Sequence, residues 1–220
     1  MNVSDALLER KSTRAFLDKP VDAELISQLL ESASHAPSGT NTQPWQVAVV
    51  TGESKLRLQE KLEAEYRSGA ESRISYQYYP LEWQSPYKER RLACGLQLYS
   101  TLDIKREDKQ KQLDQRARNF RAFDAPVMLF FFIDNIMQTG SYMDYGMFLQ
   151  SLMLAACEQG LATCPQAVLA EYPDIVKDHL GYNDDRVLLC GMSLGYEDKN
   201  NIVNSYRTPR ESVEKFTDFF

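Results

Sequence analysis

Residues 36–51 read APSGTNTQPWQVAVVT, a loop with two prolines that runs directly into a short β-branched segment. The segment 46–51 is followed by Gly52, which predicts a β-strand that ends there. Asn41 and Gln43 place two primary amides in the loop, and each amide offers both a donor and an acceptor. That set suits the edge of a heterocycle such as a pyrimidinedione. The alternative is a turn whose Asn and Ser side chains bond their own backbone.

Outward from this loop, helical patterns alternate with a few strands. Ser4 and Asp5 are candidate N-caps for the first helix. The predicted helices are residues 6–10, 22–36, 53–66, 87–102, 107–123, 142–158 and 171–180. The predicted strands are 46–51, 127–133 and 186–194, and the continuous apolar run 127–133 is typical of a fully buried strand. The pattern predicts one α+β or α/β domain over 1–220, with a small central sheet covered by helices.

Composition excludes several classes of protein. The net charge of −6 disfavours nucleic acid as a partner, because neutralising phosphates needs a basic face. The longest apolar run, 127–133, is far shorter than the roughly 20 residues that span a bilayer, and no leader peptide is recognisable, so no membrane partner is expected. The four cysteines form no Cys-x-x-Cys pair, and we expect free thiols in a cytoplasmic protein.

Most familiar catalytic motifs are missing from the sequence. It has neither a Gly-x-Gly-x-x-Gly fingerprint nor a P-loop. Only two histidines occur, His35 and His179, and both are expected at helix ends in capping or packing roles. Cysteine and histidine have no zinc-ligand spacing, and no Gly-x-Ser-x-Gly nucleophile is present. What remains is chemistry that a bound organic cofactor performs.

Two further segments are candidates for binding. Residues 10–14 read RKSTR, in which arginine and serine suit a phosphate dianion, although short basic runs are also common on surfaces. Residues 68–90 are rich in Tyr and Trp and interrupted by prolines. A long excursion of this kind is either a binding loop or lid, with Trp83 and Tyr87 offering faces to a flat ligand, or an aromatic connection packed on the surface.

The order of the motifs resembles the FMN-dependent nitroreductase family. Arg-x-Ser-x-Arg at 10–14 is followed by Pro-Ser-x-x-Asn-x-Gln-Pro-Trp at 37–45. The segments GLATCPQ at 160–166, GMSLGY at 191–196 and Asn204-x-x-Arg207 agree. The resemblance covers about residues 5–210 and is greatest to the nitrobenzoate-reductase branch.

The resemblance implies an α+β three-layer fold with a small, mostly antiparallel sheet. It also implies a homodimer with FMN at the interface and NADPH or NADH as electron donor. The apolar helix 142–158 and the terminal segment 208–220 would contribute to the contact between subunits. Residues 68–90 would form an aromatic lid inserted in the single FMN-binding domain.

The family's cofactor-binding residues carry over to positions of this chain. Arg10, Lys11, Ser12 and Arg207 would surround the phosphate. Arg14 would lie near the N1–C2=O2 edge of the flavin, where a guanidinium stabilises the charge of the reduced ring. The partner subunit would supply Pro37, Ser38, Gly39, Asn41 and Gln43. Pro165, Gln166 and Ala167 would pack beside the ring, with a backbone N–H there facing N5.

The implied activity is ping-pong hydride transfer from NAD(P)H through flavin N5 to a nitroaromatic, a quinone or another flat acceptor. No side chain need act as a nucleophile or general base, in keeping with the scarcity of histidine. Two alternatives stay open at this point. One is reductive dehalogenation or flavin breakdown on the same fold, and the other is a flavin-binding sensor or FMN reserve without turnover.

Overall fold

A computed structural model describes residues 1–220 and confirms the α+β prediction. Its strands are β1 (Gln46–Thr51), β2 (Val127–Asp134), β3 (Ala162–Gln166) and β4 (Arg186–Gly195). Each pairs antiparallel with its neighbours in the order β1-β2-β4-β3. The helices are α1 (Val3–Glu9), α2 (Ala23–Ser34), α3 (Gly52–Arg67), α4 (Tyr87–Thr101), α5 (Lys109–Ala117), α6 (Thr139–Glu158) and α7 (Pro173–Leu180). None of these helices is long and apolar enough to cross a membrane.

The fold has three layers, with helices on both faces of the sheet, and the central strand β2 shows why. Because side chains alternate along a strand, Leu129 and Phe131 point to one face of the sheet, where they pack against α2 and α6. Met128 and Phe130 point to the other face, towards α3 and α7. Both faces of β2 are therefore covered, which is why its sequence is continuously apolar rather than alternating.

Three predicted boundaries are wrong, and one of them is the start of α6, which is Thr139 rather than residue 142. The helix expected over 107–123 ends as α5 at Ala117, and a 3-10 segment, Arg118–Asp124, follows. Ala122, Phe123 and Asp124 in that segment have φ values of 52°, 53° and 66°, so the chain turns there towards β2. At the N-terminus, the residue that caps α1 is Asn2 rather than Ser4 or Asp5. The Asn2 side-chain oxygen accepts the Asp5 N–H at 2.9 Å.

Strand β3 is the element that the sequence pattern did not predict. It is an edge strand of the sheet and contains Pro165, whose missing N–H is tolerated only at such a position. The neighbouring strand β4 carries a bulge opposite Phe131 and Phe132, with Leu189 as the extra residue. The Leu189 carbonyl accepts the hydroxyl hydrogen of Tyr76, which ties the 68–86 segment to the sheet.

Candidate functional site

The basic segment 10–14 runs extended along the outer edge of β3. Ser12 forms a parallel bridge with Thr163, and the Thr13 N–H donates to the Thr163 carbonyl at 3.0 Å. The Thr13 side chain is buried between the segment and the body of the protein. Arg10, Ser12 and Arg14 line a cleft on the exposed side.

This cleft, of about 270 Å³, is strongly positive. Its lining contains five cationic residues and no acidic one. We call it the basic cleft, and its cationic residues are Arg10, Lys11, Arg14, Arg207 and Arg210. Ser12, Thr208, Tyr206 and Cys94 add hydroxyl and thiol groups to the same lining. A cleft of this composition favours an anion with several oxygen acceptors.

Arg10 is the cation of this cleft that has a buried N–H without a hydrogen-bond partner. Its Nε is buried without a hydrogen-bond partner. Burial lowers the pKa of the Arg10 guanidinium, and the neighbouring charges of Arg210 and Arg207 lower it further. A bound anion would accept the unused N–H and relieve the repulsion among the three guanidinium groups.

Asn204 joins the two segments that build the basic cleft. Its side-chain oxygen accepts the Arg14 N–H at 2.8 Å, and its amide nitrogen donates to the Ala15 and Asp198 carbonyls at 2.9 Å each. Because all these groups are fixed by a buried side chain, Asn204 is a positioning residue. The motif Asn204-x-x-Arg207 contains this residue, but the sequence alone does not indicate its role.

Lys11 and Arg207 are already engaged by protein groups. The Lys11 ammonium binds Glu197 Oε1 at 2.6 Å and the Asn204 carbonyl at 2.7 Å. The Arg207 guanidinium donates to the carbonyls of Leu8 and Glu9 at the end of α1. Arg210, which sequence analysis missed, also lines the basic cleft, and its signal was a second arginine three residues after Arg207.

The loop after α2 lies elsewhere on the protomer, and none of its predicted residues lines the basic cleft. Asn41 and Gln43 are exposed and adopt positive φ values of 61° and 49°. The Ser38 hydroxyl oxygen accepts the Gln43 N–H at 3.0 Å, so the loop satisfies part of its own backbone as an ordinary turn does. Pro37 and Gly39 are exposed beside this turn. One protomer therefore does not bring the two groups of predicted residues together.

The third predicted group, residues 165–167, divides between the interior and a second cleft. The Gln166 side chain is buried and fully bonded, donating to the Asn119 carbonyl at 2.9 Å and accepting the Ser193 hydroxyl. The Gln166 side chain therefore has no group free for a ligand. Pro165 is exposed on β3, and Ala167 lines the second cleft, of about 640 Å³.

This second cleft, which we call the tyrosine cleft, lies between residues 72–79 and the segment after β3. Tyr76, Tyr78 and Tyr79 form its aromatic wall. Of the two predicted lid residues, Trp83 packs against Tyr79 with ring centroids 5.5 Å apart and the rings tilted by 48°, although it does not line the cleft itself. Tyr87 is the exposed first residue of α4 and lies outside the lining.

The thiols and histidines take structural positions. Burial raises the pKa of Cys164 to about 11 and that of Cys190 to about 12, so both remain protonated thiols. His35 is the C-cap of α2, as expected. His179 lies in the last turn of α7 with Nε2 2.9 Å from the Ser54 hydroxyl, and its half-buried position lowers its pKa. No cluster of three or more metal-ligating side chains occurs.

Comparison with known proteins gives a consistent result. A family model described as the nitroreductase family matches residues 7–196. The 4-nitrobenzoate reductase of Pseudomonas putida is 40% identical over 210 residues, which cover 96% of this chain and 92% of that protein. The chloronitrobenzene nitroreductase of Comamonas testosteroni is 36% identical over 218 residues, covering 99% and 96%.

The agreement extends to three dimensions. The crystal structure of the FMN and NADPH-dependent nitroreductase NfnB from Sphigopyxis sp. strain HMH superposes with a TM-score of 0.97 at 41% identity. The match covers 100% of this chain and 99% of that one.

Proposed function

This chain belongs to the nitroreductase family, and on that premise we propose that it is an FMN-dependent enzyme that uses NADPH to reduce nitroaromatic compounds. The family is established by the match over 7–196 and by relatives that cover nearly the whole chain. The solved relative that depends on FMN and NADPH supports the choice of cofactor and electron donor.

One observation carries the proposal, namely the basic cleft. Five cations line the cleft and no acidic residue does, although Lys11 pairs with Glu197 behind it. Together with the buried and unpartnered Arg10 Nε, this lining fits the phosphate of FMN. Arg10 and Ser12 would hold that phosphate directly, with Arg207 and Arg210 closing the cleft. Lys11 would act through Asn204 and Glu197 by keeping the 10–14 segment in place.

Bound FMN would supply hydride transfer, in which NADPH and H⁺ reduce a nitro group to a nitroso group with release of NADP⁺ and water. The part of Arg14 would be electrostatic. A guanidinium near the N1–C2=O2 edge would stabilise the negative charge of the reduced ring more than the neutral oxidised ring. The Arg14 N–H donates to Asn204 and its Nη1 to the Ser12 carbonyl at 3.2 Å, and these two bonds would hold the side chain for that role.

We also propose a homodimer that completes the site. Pro37, Gly39, Asn41 and Gln43 are exposed, Ser38 is half-buried, and none of the five lines the basic cleft, which suits their contacting the flavin of the partner subunit. Residues 208–220 would pack on that subunit, since Phe216 and Phe219 are 69% and 88% exposed in the single chain. Residues 68–90 would serve as the lid of one FMN-binding domain over 1–220, in a cytoplasmic enzyme.

The experiment is an anaerobic titration of the FMN-loaded protein with NADPH, followed by a nitroarene. We expect the visible flavin absorbance to bleach and then to return when the nitroarene is added. Bound flavin that NADPH does not bleach would overturn the enzyme and favour a sensor without turnover. Absorbance that returns with a quinone but with no nitroarene would overturn the proposed acceptor.

A further inference from the structure

The tyrosine cleft contains one charge that the proposed function does not use. Three charged residues line it, Arg91, Arg116 and Glu171. Arg116 Nη2 lies 3.1 Å from Glu171 Oε1, so these two form an ion pair. Burial raises the pKa of Glu171, while Arg116 acts in the opposite direction. Arg91 remains as an uncompensated positive charge.

The surroundings of Arg91 leave its hydrogen-bond donors available. Its guanidinium carbon lies 5.0 Å from the centre of the Trp83 ring, which is a cation–π contact. No carboxylate lies within ion-pair distance, and no hydrogen bond involves its side chain. The Arg91 side chain is also exposed, so its N–H groups are accessible to a planar anion.

An aromatic surface leads up to this charge. Tyr76 packs on Tyr142 of α6 with ring centroids 5.6 Å apart, and Tyr78 and Tyr79 follow at 6.2 Å and 4.6 Å from ring to ring. The run ends at Trp83, beneath Arg91. Tyr78 and Tyr79 are about half exposed, so their faces are accessible to a flat ligand.

The position of this surface is fixed by the sheet. The Tyr76 hydroxyl donates to the Leu189 carbonyl at the β4 bulge, which holds the first ring of the run against the protein body. Ala167 and Val168 line the same cleft as the tyrosines and Arg91. Because Ala167 belongs to the segment expected beside the flavin, a ring bound in this cleft would lie near the proposed flavin position.

From this geometry we propose that the enzyme selects nitroaromatic acceptors that carry a carboxylate, with Arg91 binding the carboxylate and the tyrosines packing on the ring. The proposal rests on the proposed function and narrows its acceptors. Relatives of similar identity are named for a carboxylated nitroarene in one case and an uncharged one in the other, so identity does not choose between them. The unpaired guanidinium of Arg91 favours the carboxylated nitroarene.

The test compares 4-nitrobenzoate with methyl 4-nitrobenzoate in the wild-type enzyme and in Arg91→Gln. We expect Arg91→Gln to lower kcat/KM for the acid by about 10- to 100-fold, the usual effect of losing a charge-assisted hydrogen bond. The value for the ester should change little. Arg91→Lys keeps the charge but not the planar fork, so its kcat/KM for the acid should lie between those of the wild type and Arg91→Gln.

Arg90→Gln is the matched control on the same helix. Its guanidinium pairs with Glu211 at 3.1 Å and does not line the tyrosine cleft. It should leave the ratio of kcat/KM between acid and ester unchanged. An equal loss for acid and ester in Arg91→Gln, or an equal change of the ratio in Arg90→Gln, would contradict the role of Arg91.

Binding without turnover separates this proposal from the proposed function. Calorimetric titration of the FMN-loaded protein with benzoate should show binding that Arg91→Gln weakens about tenfold or more, while the binding of benzamide is kept. Benzoate binding that is insensitive to Arg91→Gln would overturn the proposal even if nitroarenes are reduced. Benzoate binding that depends on Arg91, in a protein whose flavin NADPH does not bleach, would support the anion site and overturn the reductase.

Discussion

Single residues in the basic cleft are arranged at a cost to folding stability. The Arg10 guanidinium is partly removed from water and faces two other arginines, an arrangement that lowers its pKa. Buried donors without partners destabilise a folded protein by about 1–3 kcal/mol. On the proposed function, the phosphate of FMN would accept this N–H and offset part of that cost.

Replacing Arg10 should separate cofactor affinity from folding. We expect Arg10→Gln to weaken FMN binding by about 10- to 100-fold, because it removes a charged donor to the phosphate. The FMN-free protein should keep or gain thermal stability, because the repulsion with Arg207 and Arg210 is relieved. Quenching of FMN fluorescence and thermal unfolding measure the two effects.

Arg57→Gln is the control for that variant, since its exposed side chain pairs only with Glu53 on α3. An Arg10→Gln protein that binds FMN as tightly as this control would exclude Arg10 from the phosphate site.

Among the elements, those with a strong local pattern were predicted and those set by distant contacts were not. The strand 46–51 has the predicted bounds, and β2 extends the predicted run by one residue, to Asp134. In contrast, β3 has five residues and includes a proline, so its pairing with β4 decides its conformation. The turn at 122–124 likewise depends on burial of Ala122 and Phe123, which overrides their preference for negative φ.

A close approach between elements makes Gly191 of β4 sensitive to substitution. A Cβ atom at this position would lie 2.8 Å from Leu169 Cβ and 3.0 Å from the Leu129 carbonyl oxygen. Overpacking of this kind typically costs about 1–3 kcal/mol, so we expect Gly191→Ala to lower the free energy of unfolding by that amount. Urea denaturation measures it.

Gly95→Ala on α4 provides the comparison, because nothing lies within 4 Å of its added methyl group and its φ is negative. It should be neutral or stabilising, since alanine favours helix over glycine. Equal midpoints for the two variants would refute the close-packing explanation.

For the whole molecule, we expect His179 to contribute to the way in which folding stability changes with pH. Burial lowers the pKa of His179, with Lys61 and Arg57 adding to the effect, so the folded state binds its proton less readily than the unfolded chain. Stability from this source is present above the unfolded pKa of about 6.5 and is lost as the pH falls through it. The loss of stability is complete once the pH is below the pKa of His179 in the folded state.

The variant His179→Gln should therefore show a smaller fall in unfolding temperature between neutral and mildly acidic pH than the wild-type protein. Glu171 has a raised pKa and changes stability in the opposite direction, but it is common to both proteins and cancels in the difference. His35→Gln, at the exposed end of α2, is the control. Parallel pH profiles for wild type and His179→Gln would contradict the prediction.

The candidate site, like the secondary-structure elements, was predicted from the sequence only in part. Arg10, Ser12, Arg14 and Arg207 meet in one cleft, as the order of the motifs indicated. Arg210 and Arg91 were not predicted, because their importance comes from which charges surround them in space. A linear sequence shows neither the ion pair that neutralises Arg116 nor the missing partner of Arg91.

The basic cleft is assembled from chain segments 10–14 and 206–210, which Asn204 and the bonds from Arg207 to α1 hold together. Synthesis runs from the N-terminus, so the first segment emerges from the ribosome long before the second. On the proposed function, the phosphate site would form only after residue 210 has left the exit tunnel. All four strands precede that residue, so they would emerge from the tunnel before FMN could be captured.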